Sequence, residues 1–174
     1  YDRYFNNPDR FVMVTTNCLT GRAEYLEEKS SSARVMDIVR ASSSLPFVSP
    51  ITYVDGVPML DGGIVDSIPV EYAMSQGYEK LVVVLTRNKG YRKPDIRMAL
   101  AKVAYRKYPN LQNALRNRNA VYNKTMDLIE KLEDEGKITV IRPTRPIEVS
   151  RMEKDTAKLA ALYQEGYDIA SYSK

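Results

Sequence analysis

The side chains best equipped for chemistry lie in the first 70 residues. Asp55, Asp61 and Asp66 offer carboxylates, Ser42, Ser43 and Ser44 offer hydroxyls, and Cys18 offers the one thiol. Carboxylates can move protons, and hydroxyls and thiols can attack carbonyl carbons once a base activates them. The 174 residues contain no histidine, which excludes a Ser-His-Asp triad and any histidine-bearing metal site among them. A single cysteine also excludes an internal disulfide and a structural zinc site. Cys18 follows the apolar run Phe11–Val14 and reads as a buried, inert thiol. The three serines lack a Gly-x-Ser-x-Gly setting with backbone oxyanion donors and read as structural. Asp55 belongs to an Asp-Gly turn, and Asp66 reads as a turn or helix-capping residue. Asp61 is followed by Gly62 and Gly63; taken alone, such a triplet is an ordinary turn.

The elements that must hold these residues can be read from patterning. Phe11–Thr16 is β-rich, Thr20-Gly21 signals a turn, and Arg22–Leu26 reads as the returning strand of a hairpin. Ser30–Ser32 can cap a helix from about Ala33 to Ala41, which Pro46 and Pro50 end. Ile51–Val54 and Val57–Leu60 flank Asp55-Gly56, a strong signal for a second hairpin, and Asp61-Gly62-Gly63 follows at once. A short helix from Pro69 to about Ser75 then precedes Lys80–Thr86, an apolar strand of the kind buried on both faces. Helix followed by such a strand predicts an α/β layer with a parallel sheet. Beyond it the texture turns helical. Ile96, Ala99, Leu100, Val103 and Ala104 repeat at helical spacing up to Pro109, and a second helix runs from Leu111 to Leu132. Lys137–Ile141 is a further strand, and Met152 to about Ala170 a last helix.

The block from Ala41 to Pro50, Tyr53, and the stretch Asp61-Gly62-Gly63-Ile64-Val65-Asp66-Ser67-Ile68-Pro69-Val70 together resemble the patatin-like phospholipases. In that family a small-residue and proline block, a hairpin and an Asp-Gly-Gly or Asp-Gly-Ala turn follow in this order. Leu85-Thr86-Arg87, Gly90–Lys93, Tyr105–Pro109 and Tyr122-Asn123 look like the C-terminal extension of a bacterial subgroup. The resemblance implies a partial three-layer α/β/α fold with an appended, mostly helical C-terminal region. Residues 1–86 would be the C-terminal part of the catalytic domain and residues 87–174 a basic helical extension. It also implies hydrolysis of a lipid acyl ester, phospholipid above all, by a serine whose base is an aspartate, with no metal and no cofactor. That role falls on Asp61, with Gly62 and Gly63 as the motif glycines. A carboxylate is a weak base toward a serine in water, so it needs direct reach and shielding. Glycines would serve that need by tolerating positive φ and by letting a neighbouring chain approach closely.

The family's Gly-x-Ser-x-Gly and glycine-rich oxyanion loop do not occur in these residues. Nucleophile and oxyanion donors are therefore expected upstream of Tyr1, the chain is expected to be a truncated or processed piece, and by itself it is not expected to hydrolyse anything. The alternatives are a non-catalytic membrane-binding or pseudoenzyme module, and a small-ester or thioester esterase on the same fold.

Charge is unevenly placed. The net charge is +4, yet residues 87–124 hold eleven Lys or Arg against Asp95 alone. With Tyr91, Tyr105 and Tyr108 interleaved, this region suits peripheral contact with an anionic membrane. A solvated helical face balanced by Asp127, Glu130, Glu133, Asp134 and Glu135 is the rival reading. No nucleic-acid recognition motif is present, and nucleic acid is not an expected partner. With no leader-like start and no apolar stretch of membrane-crossing length, a cytoplasmic protein, at most peripheral to a membrane, is expected.

Overall fold

The computed structural model describes residues 2–94, 103–150 and 153–172. The chain divides into two compact units, one drawn from Tyr1–Pro69 and Lys93–Lys124, the other from Val70–Arg92 and Thr125–Lys174. The units interleave along the chain.

The first unit is built on an antiparallel sheet of four strands, β1 (Met13–Asn17), β2 (Ala23–Leu26), β3 (Thr52–Val54) and β4 (Val57–Asp61), in the order β2-β1-β4-β3. Both expected hairpins form. The β3–β4 turn has positive φ at Asp55 (51°) and Gly56 (78°), the conformation that suits a right-twisted two-residue hairpin. Asp tolerates that backbone better than most residues, and Arg34 holds its carboxylate at 2.8 Å. Two helices precede β3: α1 (Asp2–Phe5) and α2 (Ser32–Ser42). The serine run caps α2 as expected, Ser31 Oγ accepting from the Arg34 N–H at 3.3 Å.

Successive residues of a strand face opposite sides, and in β4 both sides are buried. Met59 packs with Met13, Val54 and the α2 residues Ile38 and Ala41. Leu60 packs with Cys18, Ile64, Tyr105, Leu111 and Leu115. The last two belong to the long helix that follows α3 (Val70–Ser75), namely α4 (Pro109–Asp134). The sheet of the first unit is thus covered by α2 on one face and by the first half of α4 on the other, an α/β arrangement in three layers. Leu111 and Leu115 are fully buried there, each contributing about 1.5–3 kcal/mol of apolar burial. Pro109, read as a helix breaker, instead opens α4, where its missing N–H is no loss.

The second unit contains the parallel pair β5 (Leu81–Val84) and β6 (Ile138–Ile141), with α3, the end of α4 and α5 (Thr156–Tyr172). The parallel sheet predicted from the helix-strand order is confined to this pair among the described residues. β5 is also not buried on both faces: Val82 is 65% and Val84 70% exposed, while Val83 is buried. A continuous apolar run cannot distinguish a strand covered twice from one covered once. The acidic end of α4 carries a charge network, with Arg92 at 2.6 Å from Asp127 and 2.8 Å from Glu130, and Lys89 at 2.7 Å from Asp134. Arg142, its side chain almost buried, pairs with Glu133 and Glu130. Gly136 ends this stretch at φ 67°. The helix expected over Ile96–Ala104 falls largely outside the described residues. C-terminal to it, the helical texture predicted past Thr86 is realised in α4 and α5.

Candidate functional site

Asp61 closes β4. Its backbone is opposite Thr15 of β1, its N–H donates to the Ser44 carbonyl at 2.9 Å, and its own carbonyl accepts from the fully buried Thr16 hydroxyl at 2.8 Å. The chain then bends into a single 3-10 turn, Gly62–Ile64, with Asp61 as its N-cap. Asp61 Oδ1 accepts from the Gly63 N–H at 2.6 Å. Among the described residues nothing donates to Oδ2, so one carboxylate oxygen is held and the other is open to a donor from outside. The residue is partly buried.

The two glycines act by absence of bulk. Neither adopts the left-handed conformation expected of them. A Cβ on Gly62 would sit 2.6 Å from the Val14 carbonyl carbon, and closer still to its oxygen. A Cβ on Gly63 would sit 2.9 Å from Asp61 Oδ1. The first glycine therefore lets β1 lie against the turn, and the second leaves room for the carboxylate. The Gly63 carbonyl accepts from Ser67 Oγ and from Arg118 Nε, both at 2.9 Å.

The other candidate groups are engaged elsewhere. Ser42 donates to the Val14 carbonyl, Ser43 to Val39 and Ser44 to Arg40, each at 2.8 Å. Asp66 belongs to the turn, its N–H donating to the Gly62 carbonyl at 2.8 Å, and its Oδ2 accepts from the Tyr25 hydroxyl at 2.7 Å, which pins the loop to β2. Cys18 is fully buried, and burial pushes its thiol up to about 12. The segment that follows Ser44, whose carbonyl accepts from the Asp61 N–H, exposes Leu45, Phe47 and Val48. Phe47 has φ 67°, an unusual backbone for an aromatic residue, and its N–H donates to the Tyr105 hydroxyl at 2.8 Å.

That contact also corrects the reading of the tyrosines. Tyr105 is core, only 7% exposed, Tyr108 is partly buried against the same cluster, and Tyr91 carries Arg87 over its ring at 4.9 Å. Several cations of residues 87–124 are likewise occupied within the chain: Lys89 and Arg92 by acids, Arg118 by the Gly63 carbonyl, and Lys93 over the Tyr122 ring at 3.7 Å. Arg106, Lys107, Arg116 and Lys124 are exposed. Among the described residues, no helix is long and apolar enough to cross a membrane.

The strand β4, the aspartate cap and the two glycines all lie within the stretch that a family model matches. Residues 4–74 match the model for patatin-like phospholipase, and residues 108–174 match one described only as a domain of unknown function (DUF6363). Residues 4–74 are therefore a partial patatin-like region, and the patatin-like proteins are a family of lipid acyl hydrolases. An uncharacterized protein of Escherichia coli (strain K12), YjjU, is 31% identical over 115 residues, covering 64% of this chain. The chain spans only 32% of that relative's length.

Proposed function

We propose that Asp61 is the general base of a Ser/Asp dyad that hydrolyses lipid acyl esters, phospholipids above all, with the serine supplied by sequence outside these 174 residues. The observation that carries this reading is the divided state of the carboxylate. Oδ1 is fixed by the Gly63 N–H, Oδ2 is left for a donor, and the backbone on both sides of the group is tied to neighbouring strands and loops. A base held this way loses little freedom when a hydroxyl arrives, and orientation of that kind is worth several kcal/mol of a barrier. The exposed Leu45, Phe47 and Val48, which follow the Ser44 that accepts from the Asp61 N–H, supply apolar surface suited to an acyl chain. The exposed Arg106, Lys107, Arg116 and Lys124 support peripheral docking on anionic lipid, at about 1 kcal/mol per cation close to a charged surface.

The test uses the chain together with whatever precedes it in its reading frame. Phospholipid and nitrophenyl ester hydrolysis should fall by at least about a hundredfold in Asp61→Asn, which keeps an acceptor for the Gly63 N–H. Undiminished turnover would remove Asp61 from the mechanism. Absence of an upstream Gly-x-Ser-x-Gly would favour the non-catalytic module, and activity confined to short esters the small-ester reading. Vesicle co-sedimentation that ignores both anionic lipid and ionic strength would remove the docking surface.

A further inference from the structure

We infer that Arg118 is a positioning residue for Asp61, which would make part of the segment matched only as a domain of unknown function a working wall of the patatin-like unit. The inference rests on the reading of Asp61 as base. Its physical basis lies in Gly63, whose two polar groups are both used. The N–H holds Asp61 Oδ1 at 2.6 Å, and the carbonyl receives Arg118 Nε and Ser67 Oγ, each at 2.9 Å. Fixing the carbonyl fixes the orientation of the residue, and with it the N–H that aims the carboxylate.

Arg118 reaches the turn because of where α4 lies. Leu111, Leu115 and Arg118 follow at positions i, i+4 and i+7, one stripe of a helix. The two leucines are buried in the cluster that contains Ile64, the residue next to Gly63. The stripe is seated at its N-terminal end too: Asn110 Nδ2 donates to the Leu19 carbonyl at 2.8 Å, and a Cβ on Gly21 would meet the Asn110 backbone at 2.6 Å. Packing therefore sets the helix, and the helix delivers the guanidinium to the turn from 55 positions away in the chain. Ser67, local and exposed, ties the same carbonyl only from within the loop.

Two variants of equal length separate the hydrogen bond from packing. Arg118→Gln places an amide N–H at the bond count of Nε without the charge, whereas Arg118→Met keeps the stem without any donor. In the 174-residue chain, amide exchange at Gly63 should speed up about tenfold or more in Arg118→Met, as for loss of a charge-assisted bond, and stay near wild type in Arg118→Gln. Asn117→Ala, at an exposed position next to Arg118 on the same helix, should change nothing. In the form that hydrolyses esters, Arg118→Met should lower kcat and leave KM unchanged, with Arg118→Gln restoring kcat. Wild-type exchange at Gly63 in Arg118→Met would overturn the inference, and so would faster exchange with unchanged kcat. If the wild type hydrolyses no ester, the base role of Asp61 falls, and Gly63 exchange alone decides whether Arg118 holds the turn.

Discussion

Substituting Gly62 by alanine puts the clearance argument under direct load. The new Cβ would meet the Val14 carbonyl carbon at 2.6 Å and its Cγ1 at 2.7 Å, where carbon atoms rest at about 3.5–4.0 Å. Roughly 1 Å must be found by separating the turn from β1. Strand β1 cannot withdraw freely: it is paired with β2 and β4, and the Val14 carbonyl also accepts from Ser42 Oγ. The turn cannot withdraw either without stretching the bond from Asp61 N–H to Ser44. Backbone overpacking costs about 1–3 kcal/mol and a strained hydrogen bond about 1 more. The stiffer unfolded chain of alanine returns about 0.4–1 kcal/mol. The net loss is about 2–3 kcal/mol, or a fall in Tm of roughly 5–10 °C for a chain of this size. Gly63→Ala should behave differently. Its Cβ meets the Asp61 carboxylate at 2.9 Å and Ser67 Oγ at 3.6 Å, side-chain atoms able to move, so stability should drop by less than about 1 kcal/mol while ester hydrolysis collapses. Thermal and urea unfolding followed by circular dichroism, alongside turnover, would read both. A Gly62→Ala chain that melts with the wild type, or a Gly63→Ala chain that is the less stable of the two, would refute the assignment of backbone clearance to one glycine and side-chain clearance to the other.

The charge network at the end of α4 should make stability depend on acid pH. Hydrogen bonding to Arg92, foremost, holds the Glu130 carboxyl well below its ordinary 4.5, to about 2, so its contribution is complete above about pH 5 and is lost as pH falls toward 2. Replacing Arg92 by glutamine should shrink the drop in urea midpoint between pH 5 and pH 3 without abolishing it, because Glu28 is also held at about 2, through Ser30 and Ser31. An unchanged drop would mean that the Glu130 contact contributes nothing. For Cys18, a thiol raised to about 12 by burial should react with Ellman's reagent at pH 8 only after denaturation; rapid labelling of the native chain would show that the Leu60 cluster opens readily.

Much of the site was legible because its determinants are local. An Asp-Gly pair between apolar runs specifies the β3–β4 hairpin, and the serine run before Ala33 specifies the cap of α2, each within a few residues. What could not be read was set by contacts across long separations. Arg118 looked like one more surface cation because its partner is a backbone carbonyl 55 positions away, and carbonyls leave no mark in a sequence. Tyr105 was ambiguous by nature: the same amphipathic ring suits a membrane boundary or a core with one polar contact, and here the contact is the Phe47 N–H. Of the two uses expected of the motif glycines, positive φ and close approach, only the second is found, because the turn after Asp61 keeps ordinary backbone angles while its neighbours leave no room for a Cβ. The exposure of Val82 and Val84 escaped detection because an apolar run does not say how many of its faces will find cover.

The two-residue loop at Asp55-Gly56 also works as a counting device. It leaves no slack between β3 and β4, so it decides that Val54 meets Val57 and Thr52 meets Met59, and from that point the alternation of the strand runs on to Asp61. Side chains on a strand switch sides at every step, so a slip of one position would carry the carboxylate from the face it shares with Met59 to the face of Leu60 and leave a leucine at the mouth of the 3-10 turn. Insertions that shift this hairpin by an odd number of residues therefore abolish the reactive group's address while leaving every residue of the motif in place.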